Sequence, residues 1–152
     1  MLKPLLVMLL SLSLSLNMQG CAAPQQTLKT SSGQPEVTVS NVTKKQILDM
    51  VVADALGRGS EVRGVSEYGV TIVRRADPAS MAGFMFSSRA GGPPEWRFQI
   101  NTVETQGAVK IYARSTLTEN PGTAFEKSND TTDSMSNDLQ SILEDIKRRL
   151  AK

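Results

Sequence analysis

The chain has 152 residues, no histidine and a single cysteine, with 17 basic against 15 acidic side chains and a formal charge of +2. A balance so close to neutral argues against a nucleic-acid binder, which needs a concentrated basic face. Without histidine the commonest general base is missing, and with the cysteine assigned as below, carboxylates are the only usual zinc ligands left.

Lys3 precedes an apolar run from Leu5 to Leu16, and Asn17-Met18-Gln19-Gly20-Cys21 follows it. A positive start, a short apolar stretch and a small residue before a break predict a secretory signal peptide over residues 1–20. The run falls short of the ~20 residues that a spanning helix needs. Met18-Gln19-Gly20-Cys21 resembles the lipobox of bacterial lipoproteins. Gly20 and Cys21 match that pattern, while Met18 and Gln19 stand where it favours leucine and a small residue. The resemblance spans residues 1–21 and carries no information about the domain behind them. It implies that the Cys21 thiol is diacylglycerylated, that cleavage falls in front of it, and that the new amine is acylated, palmitate being a typical chain. Ala22 stands where inner-membrane members often carry aspartate, which by the same resemblance implies the outer membrane, facing the periplasm. The alternative is an ordinary secreted protein cut near Ala22 or Ala23. A lone cysteine with no disulfide partner, directly behind the apolar run, favours lipidation.

Residues 22–36 are rich in Pro, Gln, Ser, Thr and Gly, with almost nothing apolar. Such a segment predicts a disordered tether over 21–36, with a reach of about 20 Å as a flexible coil and about 50 Å when stretched. One domain is expected over 37–152.

That domain is predicted to start with a short strand, Val37-Thr38-Val39. A helix follows, with Thr43 as N-cap, Gln46 completing a capping box and Val42 stapling onto Ile47. Ile47, Leu48, Val51, Val52, Ala55 and Leu56 form its apolar face, and Gly57 fits the left-handed position that ends it. Strands are expected over Glu61–Val65 and residues 70–75. Asp77-Pro78 suits an N-cap followed by proline, opening a turn through Met81. Phe84-Met85-Phe86 reads as a third strand or a piece of core, and residues 87–95 as a loop stiffened by Pro93 and Pro94.

The clearest β signal is the alternation of Trp96, Phe98, Ile100 and then Val109, Ile111, Ala113 with polar residues. A two-residue loop at Gln106-Gly107 sets Ile100 opposite Ala113, Phe98 opposite Ser115 and Trp96 opposite Leu117. Both apolar sets then share one side, and a one-residue slip would oppose Phe98 to Arg114. The other side, with Arg97, Gln99, Asn101, Tyr112 and Arg114, reads as a solvated face. Asn120-Pro121-Gly122 ends the hairpin and residues 126–133 read as loop. A final helix over 134–150 carries the stripe Met135, Leu139, Ile142, Ile146, Leu150.

One-sided strands between two helices imply an α+β domain: an antiparallel sheet of four to five strands with both helices on one face. In element order this is similar to the helix-grip modules of several envelope lipoproteins, a likeness that says little about function.

No catalytic residue is assigned. Serines are plentiful, but there is no G-x-S-x-G elbow or S-x-x-K motif, and Ser87-Ser88-Arg89 reads as loop solvation. No metal site is assigned either. Asn129, Asp130, Asp133, Asn137 and Asp138 lack the glycine of a calcium loop and suit a helix N-terminus. Lys147, Arg148, Arg149 and Lys152 suit a helix C-terminus rather than a lipid surface. No cofactor is expected beyond the covalent lipid on Cys21.

The expected function is therefore a non-enzymatic, lipid-anchored envelope protein that docks a protein partner. Its candidate contacts are Gly91, Gly92, Pro93, Pro94, Arg97, Tyr112 and Arg114. The alternative is a carrier or sensor of a small hydrophobic ligand between sheet and helices, with Phe84, Phe86 and Trp96 lining an apolar mouth. An exclusion or immunity factor is a third reading that the sequence does not separate from the first. A packed interior would favour docking, and an open apolar cavity the ligand.

Overall fold

A computed structural model describes residues 28–77 and 92–151. The strands are β1 (Glu36–Ser40), β2 (Glu61–Val65), β3 (Gly69–Arg75), β4 (Glu95–Thr105), β5 (Ala108–Glu119) and β6 (Lys127–Asp130). The helices are α1 (Lys44–Gly57) and α2 (Ser136–Leu150). The fold is α+β, an open antiparallel sheet of six strands in the order β1-β5-β4-β3-β2. Strand β6 joins β1 along the flank of β5 that β4 leaves free, β1 pairing with residues 108–112 and β6 with 116–119.

The central hairpin has the expected register. Thr105 and Ala108 close a two-residue loop, with Ile100 opposite Ala113, Phe98 opposite Ser115 and Trp96 opposite Leu117. Directly opposed residues share a face. Val70, Ile100, Ala113, Ile111, Val109, Val37 and Val39 therefore form one apolar surface, against which Ile47, Leu48 and Val51 of α1 and Leu139, Leu143 and Ile146 of α2 are buried. Strands β3 and β4 approach closely at Gly69, where a Cβ would lie 2.5 Å from the carbonyl oxygen of Ile100. Only a residue without one fits there.

Helix α1 starts as its sequence predicts. The Gln46 amide donates to Thr43 Oγ1 while Gln46 Oε1 accepts from the Thr43 amide. Its end differs. Gly57 stays helical and the left-handed residue is Gly59, with φ of +72°. The Ser60 amide bonds the Ala55 carbonyl and the Gly59 amide that of Leu56, which is the Schellman pattern. Two glycines lie near the end, and the second allows these carbonyls to be capped. Leu56 is exposed rather than part of the packed face.

Three further expectations change. The supposed loop at 126–133 contains β6, polar throughout because a margin strand is held by backbone bonds and by pairs such as Thr118 Oγ1 with Ser128 Oγ at 2.9 Å. In α2, Leu143 rather than Ile142 completes the buried stripe, and Ile142 is 47% exposed. The tether is shorter than expected at its inner end, because the last residues before β1 fold against the sheet. Pro35 and Glu36 are buried, and the Glu36 carboxylate accepts from Ser31 Oγ, from Ser32 Oγ at 2.6 Å and from Lys110 Nζ at 3.0 Å. On the outer flank of β1, the Gln140 side chain of α2 accepts from the Glu36 amide at 3.0 Å and donates to the Glu36 carbonyl at 3.1 Å.

Candidate functional site: a cleft between the helices

Helix α2 packs mainly on β1 and β5, and α1 on β2 and β3, so the two touch one another sparingly. Between them opens a cleft of about 520 Å³, within the ~300–1,000 Å³ range of small-molecule sites. Its floor is Ile72, Phe98 and Ile100 of the sheet; Met50, Val51 and Ala55 line one wall, Leu139, Ile142 and Ile146 the other. Ile72, Phe98 and Met50 are half-buried, and Ile142 is open to solvent. These apolar groups are left incompletely covered because the two helices pack on different strands and touch one another little.

The rim is charged. Asp54 of α1 receives Arg58 at 2.8 Å and Arg149 of α2 at 2.9 Å. Arg149's hydrogen bond holds the Asp54 carboxyl below its usual range, outweighing the opposing effect of burial, with Arg58 assisting. Asp145 takes Arg148 at 2.5 Å, and Glu144 accepts from Gln140 at 3.0 Å. Arg74, on the sheet side of the rim, has no ion pair among the described residues.

The opposite face of the sheet is less solvated than expected. Glu95 is 2% exposed there, held by Arg63 through bonds of 2.5 and 2.7 Å, with Arg97 at 3.7 Å and Arg75 at 3.9 Å. These bonds raise Arg63 above the ordinary guanidinium value, Glu95 contributing most and Glu61 next. Arg97 also pairs with Glu126 at 2.8 Å, and that carboxyl, which accepts as well from the Gly122 amide, is lowered. Arg97 Nε is buried without a partner. Gly92 and Pro93 join Arg63, Arg75, Glu95, Pro121 and Gly122 around a small recess of about 310 Å³.

Of the docking residues expected from sequence, Gly92, Pro93 and Arg97 come together around Glu95. Pro94 is buried. Tyr112 and Arg114 lie further along β5, with Lys110 Nζ 5.3 Å from the Tyr112 ring centre. Trp96 is half-buried, in the row Arg74–Trp96–Leu117, and is not part of the cleft lining. Cys21, Gly91, Phe84, Phe86 and the Ser87-Ser88-Arg89 cluster lie outside the described residues, as do Pro78 and Met81. Met50 and Ile72 in the cleft, and Arg63 and Glu95 on the other face, were not singled out by the sequence, which placed Ile142 in the buried stripe of α2. Ile142 was signalled by surplus: α2 carries both Ile142 and Leu143, more apolar residues than one buried stripe uses. Nothing comparable marks Glu95, which sits in phase with polar Arg97 and Gln99.

Among the described residues no three metal-binding side chains gather, and no helix is long and apolar enough to cross a membrane. No protein-family model, curated protein or solved structure matches this chain.

Proposed function

We propose that the chain is a non-enzymatic envelope lipoprotein, held at a membrane by the acylated Cys21, whose domain receives a small apolar ligand in the cleft between α1 and α2. The observation that carries this reading is the apolar floor between the helices, where Ile72 and Phe98 are only half-buried. The absence of histidine and of a nucleophile motif supports a binding role. Anchoring at the outer membrane, on its periplasmic side, follows the leader and Ala22.

The test uses the whole chain in lipid nanodiscs, with empty discs as blank, and the neutral fluorescent probe N-phenyl-1-naphthylamine. Saturable binding is expected. Ile142→Arg, at an exposed position, weakens it about tenfold by replacing an apolar wall of the cleft with a charged side chain. Binding absent in the parent chain, or indifferent to Ile142→Arg, would overturn the cleft. The anchor is tested separately: Cys21→Ser abolishes incorporation of labelled palmitate, and incorporation that persists refutes it.

Protein docking is the second reading. It is favoured by Phe125, 81% exposed and next to the Arg97–Glu126 pair, since exposed aromatics beside arginines are common interface anchors.

A further inference from the structure

We infer that the molecule taken by the cleft is a single-chain amphiphile with an anionic head, its chain on the Ile72–Phe98–Ile100 floor and its head at Arg74. The inference rests on the cleft reading above and adds the chemistry of the ligand. Four guanidiniums and three carboxylates line the opening. Three of the cations are already engaged: Arg58 and Arg149 share Asp54, and Arg148 holds Asp145, with Arg149 a further 3.9 Å from it. The carboxylates are engaged in turn, Glu144 through Gln140. Arg74 is left over, with no ion pair among the described residues. The rim thus carries a net charge of +1, and at its Arg74 end an anion is the complementary ligand.

The position of Arg74 is as telling as its charge. Val70, Ile72 and Arg74 alternate with Thr71, Val73 and Arg75 along β3, so Arg74 occupies the helix-facing phase that the two preceding members of its row fill with apolar groups. Its direct neighbour on β4 is Trp96, and Ile72 beside it faces Phe98. Arg75, on the other face, already lies 3.9 Å from Glu95. An arginine at a strand end is ordinarily just solvated. Here it adjoins an open apolar floor, where a guanidinium bonded to a carboxylate or phosphate gains from the lower dielectric nearby. A cationic head would find Asp54 and Asp145 already paired with arginines, and at the Arg74 end of the floor it would meet a guanidinium that repels it.

The experiment uses the whole chain in its membrane and two photoactivatable probes of equal length, a diazirine dodecanoate and the matching diazirine dodecanol. Labelled peptides are mapped by mass spectrometry. Carboxylate labelling is expected on the segments holding Ile72, Phe98 and Ile142, and unlabelled dodecanoate competes with it. Arg74→Gln lowers the ratio of carboxylate to alcohol labelling about tenfold, the size expected for one charge-assisted hydrogen bond, and Arg74→Lys restores most of it. Equal labelling by both probes, unchanged in Arg74→Gln, overturns the anionic head while leaving the cleft reading standing. Failure of both probes to label the cleft sinks the two together. A dodecylammonium probe that labels the same segments more strongly than the carboxylate also overturns the inference.

Discussion

Arg149 of α2 reaches Asp54 of α1 at 2.9 Å, an ion pair that joins the two helices across the mouth of the cleft. Both side chains are more than a third exposed, so its share of global stability is small, about 0.5 kcal/mol. Its effect is local. Arg149→Ala is expected to leave the urea midpoint nearly unchanged while speeding release of a bound probe several-fold, as stopped-flow displacement would record. The Asp54 carboxyl is lowered by this contact, so the pair is complete above the usual carboxylate range and fails only as pH drops beneath it. Release that is equally fast in the parent and the variant would show that the pair does not restrain the opening.

Glu95 is a buried carboxylate whose compensation depends mainly on Arg63, at 2.5 Å. Glu95→Ala leaves arginines facing one another beside a void and should cost about 3–5 kcal/mol in chemical denaturation. Replacing both partners, Arg63→Met with Glu95→Met, should cost less than Glu95→Ala alone, because no charge is stranded. Arg75→Ala should change stability by less than about 0.5 kcal/mol, since that side chain is 72% exposed. A double variant worse than Glu95→Ala would show that the charges do more than compensate each other.

Glu36 couples stability to acid. Burial alone would push its carboxyl up, but hydrogen bonds from Ser31, Ser32 and Lys110 outweigh that and hold it at about 2, against an ordinary value of 4.5. Its folded pKa is depressed, so the stabilisation is fully present above about pH 4.5 and disappears as pH falls toward 2. The amount is on the order of 3 kcal/mol. Urea titrations across that interval should lose much of their pH slope in Glu36→Gln. A slope identical in the two proteins would assign the acid sensitivity elsewhere.

The legible parts of this fold are those fixed by local periodicity. The β4–β5 register could be read because Trp96, Phe98 and Ile100 change faces together on a slip, and α1 because Thr43 and Gln46 satisfy each other within one turn. Strand β6 was illegible, since the Lys127–Asp130 strand has no apolar alternation and depends on backbone bonds to β5. Ser31 and Ser32 were likewise hidden in a polar stretch, their role set by Glu36 and Lys110. For the cleft, the apolar residues were visible but not the seating of the two helices on different strands, which leaves Phe98 half-covered. Arg74 was recognisable only as one of two arginines closing a strand.

The Gln140 amide, paired with the peptide groups of Glu36, imitates at one position the ladder that an additional strand would supply. Any polypeptide seeking to lengthen the sheet beyond β1 must therefore dislodge a helix first, and self-association through that margin is discouraged. The opposite margin is β2, whose pairing with β3 is broken between Val62 and Gly64. An irregular, five-residue border makes a poor template for growth, so the β1 and β2 margins resist edge-to-edge pairing by different means.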